Sequence, residues 1–173
     1  MFAYLGLGSN IENREEHLRS AVRQLSNRSM DILQCAAVYS TEPRDLLDQP
    51  WFLNTVLHAR TELSARALLV ACLEVETENG RTRDVPKGPR TLDIDILFYG
   101  TGIVREPGLT IPHPRFSERR FVLAPMVEIA PALVDPVTGK TMRELLDVCP
   151  DTATIVRVYD AQAFFRLSPS EPQ

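Results

Sequence analysis

The chain has 173 residues, 44% hydrophobic and 24% charged, which fits one ordered, compact domain with an ordinary core. A formal net charge of −4 excludes broad, non-specific nucleic-acid binding, which needs a positive surface. No run approaches the ~18 consecutive apolar residues of a membrane span. Cys35, Cys72 and Cys149 form neither a zinc pattern nor a disulfide framework, so free thiols in a reducing, cytoplasmic setting are expected.

Residues 2–8 read as a strand, with no basic and apolar leader ahead of it, that stops at the turn Gly8-Ser9-Asn10. Asn13 with Glu16 three residues later resembles a capping box, and Leu18, Ala21, Val22 and Leu25 keep helical spacing. Residues 31–40 read as a second strand, 41–50 as a loop holding Pro43 and Pro50, and 51–61 as a third strand. Ser64 caps a second helix whose apolar face runs through Leu68, Leu69 and Cys72 and which Gly80 ends. A basic loop fills 81–90, and Leu92 to Tyr99 is a fourth strand.

This order predicts an α+β, ferredoxin-like βαββαβ core: an antiparallel sheet with two helices packed on one face. A C-terminal extension follows, with Pro-rich turns from about residue 103, a short helix near 141–148 and a late strand near 154–159, covering or extending the sheet. One domain is expected over 1–160, with 161–173 as a flexible tail.

The sharpest chemical feature is Asp93-Ile94-Asp95. Strand alternation puts 93, 95, 97 and 99 on one face and Leu92, Ile94, Ile96 and Phe98 on a core face. Two carboxylates about 7 Å apart along one face repel, and each resists ionisation. Either nearby arginines or a divalent cation resolves that conflict, and two carboxylates with room for water and phosphate suit Mg²⁺. Just upstream, residues 81–90 carry Arg81, Arg83, Lys87 and Arg90 against one acid, Asp84. Arginine forks suit phosphate oxygens, although a solvated basic loop has the same composition.

Glu76 lies on the apolar face of the second helix, where it pairs with a loop arginine or serves the site. On the third strand Phe52 and Asn54 share a face with Val56, His58 and Arg60; they either pack or offer an aromatic surface and an amide to a flat ligand. His113 sits between Pro112 and Pro114 in a run holding Arg115, Arg119, Arg120, Phe116 and Phe121, as a structural histidine or a phosphate donor. No GxSxG, HExxH or Walker-type lysine loop occurs, which removes the corresponding hydrolase, zinc-protease and P-loop readings.

Six blocks now stand in order: Gly8-Ser9-Asn10; Tyr39-Ser40-Thr41-Glu42-Pro43; Asp48-Gln49-Pro50 with Phe52-Leu53-Asn54; Gly80-Arg81 with Arg83; Gly88-Pro89-Arg90-Thr91-Leu92-Asp93-Ile94-Asp95; and Pro112-His113-Pro114-Arg115 with Arg119 to Leu123. Over residues 2 to 158 the chain resembles the 6-hydroxymethyl-7,8-dihydropterin pyrophosphokinase family, enzymes of folate biosynthesis. The resemblance implies that ATP gives its pyrophosphoryl group to the pterin alcohol and leaves as AMP. Asp93 and Asp95 would hold two Mg²⁺ ions, with Arg81, Arg83 and Arg90 gripping phosphates. His113 and Arg119 would contact the triphosphate, with Glu76 and Ile96 on the ATP side. The pterin would stack between Phe52 and Phe121, its polar edge read by Asn54 and the backbone of Thr41, Glu42 and Pro43, its reacting end near Asp93. A cytoplasmic monomer with small-molecule substrates, and neither nucleic acid nor membrane as partner, is expected.

Two departures stand out. The family often has tryptophan where this chain has Lys87, and usually has Val-Gly after Thr-Glu-Pro, where this chain has Arg44-Asp45. The pterin-side loop is therefore expected to have its own backbone course.

Overall fold

A computed structural model describes residues 1–44, 47–81 and 89–165. β1 (Phe2–Ser9), α1 (Arg14–Ser26), β2 (Met30–Cys35), β3 (Val38–Thr41), β4 (Phe52–Thr61), α2 (Ala65–Glu78) and β5 (Asp93–Tyr99) form the expected βαββαβ core, its second strand split in two. The hairpin β6 (Val104–Glu106) and β7 (Leu109–Ile111) follows, then a 3₁₀ turn (Phe116–Glu118), α3 (Arg120–Ile129), α4 (Met142–Asp147), β8 (Ile155–Tyr159) and α5 (Ala161–Phe165). The sheet runs β5-β1-β4-β3-β8, all antiparallel, with β2 also on β4.

Local sequence explains the helix ends. Asn13 accepts from the Glu16 N–H at 3.2 Å, while the Glu16 side chain turns to Arg23 rather than back to the cap. Ser64 caps α2 through the Ala67 N–H, and Gly80, at φ +76°, turns the chain out after it. At α4, Thr141 and Glu144 form a full reciprocal capping box.

The split in the second strand falls at Ala36 and Ala37, both fully buried. Their backbone leaves the ladder but stays satisfied. Ala36 N–H donates to the Val56 carbonyl at 2.8 Å, and Ala37 N–H to Glu128 of α3 at 3.1 Å.

Two cores sandwich the sheet. Leu5, Leu7, Leu57, Ile94 and Ile96 meet α1 and α2 through Leu18, Leu25, Leu68 and Cys72. On the other face Val56, Leu97 and Phe98 meet Phe116, Leu123 and Met126. As expected of the C-terminal extension, β8 extends the sheet and α4 helps to cover its second face; α3, which covers part of that face with it, was not expected. α3 carries Pro125 inside it, which removes one ladder donor and hides the helix from a reading of the sequence. Burial of Val122, Leu123, Met126 and Val127 outweighs that loss.

Strict alternation also fails in β5. Leu5 opposes Ile96 and Tyr4 opposes Phe98, so Leu97 has no partner in the register. After this bulge Leu97 and Phe98 both belong to the second core, while Tyr99 packs toward the first. The expectation that Phe98 continues the helix-side core is corrected accordingly.

The sequence reading placed a flexible tail from residue 161. Residues 161–165 instead form α5, and Phe164 is 3% exposed within the first core. Arg19 donates to the Phe164 carbonyl at 3.0 Å and lies 4.2 Å over its ring. Residues 166–173 lie outside the described residues. A Phe164→Ala variant is expected to lose about 3 kcal/mol and to melt roughly 6–12 °C lower. Thermal and urea denaturation check this, and an unchanged melting point would mean that α5 contributes nothing to the core.

Candidate active site

Where α3 stops covering the second face, an open pocket remains. Its floor is β1, β4 and β5, with Gly6, Gly8, Asn54, Asp93 and Asp95; Thr41 to Arg44 form one side, and Arg119 and Phe121 the other.

The β5 carboxylates stand at one end. Asp93 pairs with Arg90 and, at 2.6 Å, with Arg81. Arg81 also pairs with Glu76, which is almost wholly buried and accepts the Ile94 N–H at 2.7 Å. Glu76 thus ties α2 to the backbone between the two aspartates and orients Arg81. Burial raises its pKa to about 7, against the lowering effect of the Ile94 hydrogen bond and the Arg81 charge.

Asp95 lies 3.3 Å from Arg119 and 3.9 Å from His113 Nε2. Burial raises its pKa and the Asp93 charge adds to the rise, while His113 and Arg119 oppose it. His113 is fixed through its backbone: its N–H donates to the carbonyl of the bulged Leu97 at 3.1 Å. Its Nδ1 accepts the Arg115 N–H at 3.2 Å, so the proton of the neutral ring sits on Nε2, toward Asp95. Burial lowers the His113 pKa and favours that neutral form.

The other end is amide and aromatic. Asn54 is buried and donates to Thr41 Oγ1 at 2.6 Å. Its Oδ1 lies against Gly8, where a Cβ would sit 2.6 Å away, so only glycine leaves the amide in place. Phe52 and Phe121 line the pocket from β4 and α3, with the Arg119 guanidinium 5.7 Å from the Phe121 ring centroid.

Asn10 joins the two ends. It exchanges two hydrogen bonds with the Arg90 backbone, at 2.7 and 3.1 Å, and donates to Gln49 and to the Pro50 carbonyl, each at 3.0 Å. The sequence reading placed it in a turn and in the first block of the resemblance, but gave it no role in the site. An asparagine after a strand end, able to donate and accept at once, was the available signal.

Of the residues singled out from sequence, Thr41, Glu42, Pro43, Phe52, Asn54, Arg90, Asp93, Asp95, Arg119 and Phe121 line this one pocket. Arg81 meets Asp93 and His113 meets Asp95, while Glu76 pairs with Arg81. Ile96 does not join them; its side chain is buried in the helix-side core. Arg83 and Lys87 lie outside the described residues. Arg44, Gln49 and Arg115 also line the pocket and had been given no role.

The donor set limits what metal fits. Among the described residues no three His, Cys, Asp or Glu side chains cluster as metal ligands. Two neighbouring carboxylates facing an open pocket suit Mg²⁺, which retains waters and shares its shell with substrate phosphates.

Comparison with known proteins then fixes the family. Residues 4–131 match the family model for 7,8-dihydro-6-hydroxymethylpterin-pyrophosphokinase. The chain belongs to this family. The 2-amino-4-hydroxy-6-hydroxymethyldihydropteridine pyrophosphokinase of Methylorubrum extorquens is 43% identical over 145 residues, covering 83% of this chain and 90% of the relative. That of Bacillus subtilis is 43% identical over 128 residues, covering 73% and 77%. The folic acid synthesis protein fol1 of Pneumocystis carinii is 38% identical over 148 residues, 86% of this chain but 20% of that protein, so the chain spans about a fifth of that longer relative. The wild-type HPPK-DHPS of Plasmodium falciparum, solved with pteroate, shares the fold at a TM-score of 0.68 and 14% identity, over 84% of this chain and 44% of that one.

Glu76 makes this pyrophosphokinase domain pH-sensitive. Its folded pKa, about 7, stands above the ordinary 4.5, so the folded state binds more protons between those values. Its contribution to stability is therefore full below the ordinary value and is lost as pH rises through about 7. Melting temperatures of metal-free protein are expected to fall between about pH 4.5 and about pH 7, with a flatter profile in Glu76→Gln. Parallel profiles for the two proteins would refute this.

Proposed function

We propose that the chain transfers the pyrophosphoryl group of ATP to 6-hydroxymethyl-7,8-dihydropterin, giving AMP and the pterin pyrophosphate. The observation that carries this reading is that one pocket joins an aromatic and amide end to a carboxylate and arginine end. A flat heterocycle and a polyphosphate would meet where those ends join. Three free thiols, two of them buried, support a reducing compartment.

Asn54, held by Thr41 and backed by Gly8, presents a fixed amide edge for the pterin, with Phe52 and Phe121 as its apolar walls. At the other end Arg81, Arg90 and Arg119 neutralise carboxylates in the free chain. The same forks are suited to phosphate oxygens, so ATP binding becomes an exchange of partners rather than the burial of bare charges. Arg83 is expected to join them. Asp93 and Asp95 would hold Mg²⁺, which when bound supplies charge neutralisation at the phosphate oxygens. His113, whose neutral form burial favours and whose Nε2 lies toward Asp95, is a donor toward the same end.

The pterin hydroxymethyl oxygen would attack the β-phosphorus, breaking its bond to the bridging oxygen that leaves with AMP. The chain's own contribution is positioning and electrostatic stabilisation: the sheet floor holds the acceptor, and the arginines hold the donor in line.

Purified protein with ATP, Mg²⁺ and the pterin alcohol is expected to form AMP one-for-one with pterin pyrophosphate, resolved by chromatography, and none with chelator present. ADP as product, or turnover independent of the pterin, would overturn the proposal. Asp95→Ala is expected to lower kcat by about 10²–10⁴-fold with the far-ultraviolet circular dichroism unchanged. Near-normal turnover in that variant would remove Asp95 from the phosphate end.

A further inference from the structure

Arg44 stands where the family pattern has a small apolar residue, and its contacts reach across the pocket. Its Nη1 donates to the Glu118 carbonyl at 2.6 Å and lies 3.5 Å from Asp151. Asp151 is itself buried and bound on both sides: it accepts the Arg120 N–H at 2.9 Å and the Ala153 N–H at 3.0 Å. Arg120 is the first residue of α3, and its preceding residue, Arg119, supplies no side-chain cap. A carboxylate from a distant segment therefore caps that helix and also carries the negative charge that holds Arg44.

The next residues reinforce the link. Glu42 pairs with Thr154 twice, through its N–H to the Thr154 carbonyl at 3.0 Å and through its carboxylate to the Thr154 N–H at 2.9 Å. The loop that lines one side of the pocket is thus fastened to the segment 151–154. Through Asp151 and the Glu118 carbonyl it is fastened to the start of α3, which carries Arg119 and Phe121 on the other side. Arg44 is the cationic member of this set of contacts and joins the loop directly to the Glu118 carbonyl just ahead of α3.

We infer that Arg44 is a positioning residue that clamps the pterin-side loop to the N-terminus of α3 and so presets the distance between the two pocket walls. The inference rests on the pyrophosphokinase reading for its substrate, but the clamp itself does not. A wall distance fixed before binding spares the ordering that a loose loop would undergo on capturing a flat ligand. It acts on the wall carrying Phe121 and leaves the Arg81 and Arg90 grip, built from other segments, untouched.

The experiment compares the whole chain with Arg44→Met, which keeps the stem but removes charge and donors, and with Arg44→Lys. In Arg44→Met, hydrogen exchange at the Glu42, Thr154 and Arg120 amides is expected to speed up by about tenfold or more, while the Leu5 and Leu57 amides keep their protection. The pterin KM is expected to rise about tenfold, the weight of one charge-assisted hydrogen bond, with a smaller rise in the ATP KM because Arg119 precedes the same helix. Arg44→Lys is expected to recover part of both effects. Unchanged exchange at the three amides overturns the clamp whatever the activity. Faster exchange with an unchanged pterin KM overturns its role in setting the pocket. Absence of pterin-dependent AMP in the wild type would defeat the reaction assignment alone, since the exchange measurement still decides the clamp.

Discussion

Two carboxylates two positions apart on one face of a strand cannot both ionise in a half-buried setting without positive charge close at hand. Asp93 and Asp95 impose that requirement, and much of the fold answers it. Arg81 comes from the end of α2, Arg90 from the strand entry, His113 from the segment after the β6–β7 hairpin, and Arg119 from the residue before α3. Four stretches separated in sequence are drawn to one point on β5. The same convergence leaves guanidinium groups gathered where a polyanion would lie.

Support for that cluster comes mostly from the backbone. Asn10 locks the peptide of Arg90, Glu76 receives the Ile94 N–H, and Asp151 caps α3. Each is a buried or half-buried polar group whose own hydrogen bonds are satisfied, which holds its partner rigidly at little cost. Preorganisation of this kind is what a phosphoryl-transfer site needs, since most of its work is to hold charges and reactants still.

The core strands and both major helices were legible in the sequence because apolar spacing and caps agreed there. Leu18, Ala21, Val22 and Leu25 followed helical spacing behind Asn13, and all four are buried. The aspartates were legible because a strand pattern put them on one face. α3 was hidden by Pro125 and α5 by its brevity, since in both helices packing against the core rather than local propensity sets the structure. Arg44 and Asn10 were visible as residues but not as links, because their partners lie 74 and 80 positions away. Ile96 was assigned to the ligand side although its position in the alternation pointed it at the helices.

The bulge at Leu97 divides β5 into two functional registers. Before it, odd-numbered side chains face the pocket and can be polar. After it, the phase of the strand has slipped, and two consecutive apolar residues seal the same face. The strand therefore passes from a wet reaction surface to a dry core within a single residue. The carbonyl of Leu97, the bulged residue, holds the His113 backbone. A deletion that restored regular alternation would redirect Phe98 and withdraw that anchor together, so the number of residues in this strand is constrained as tightly as their identities.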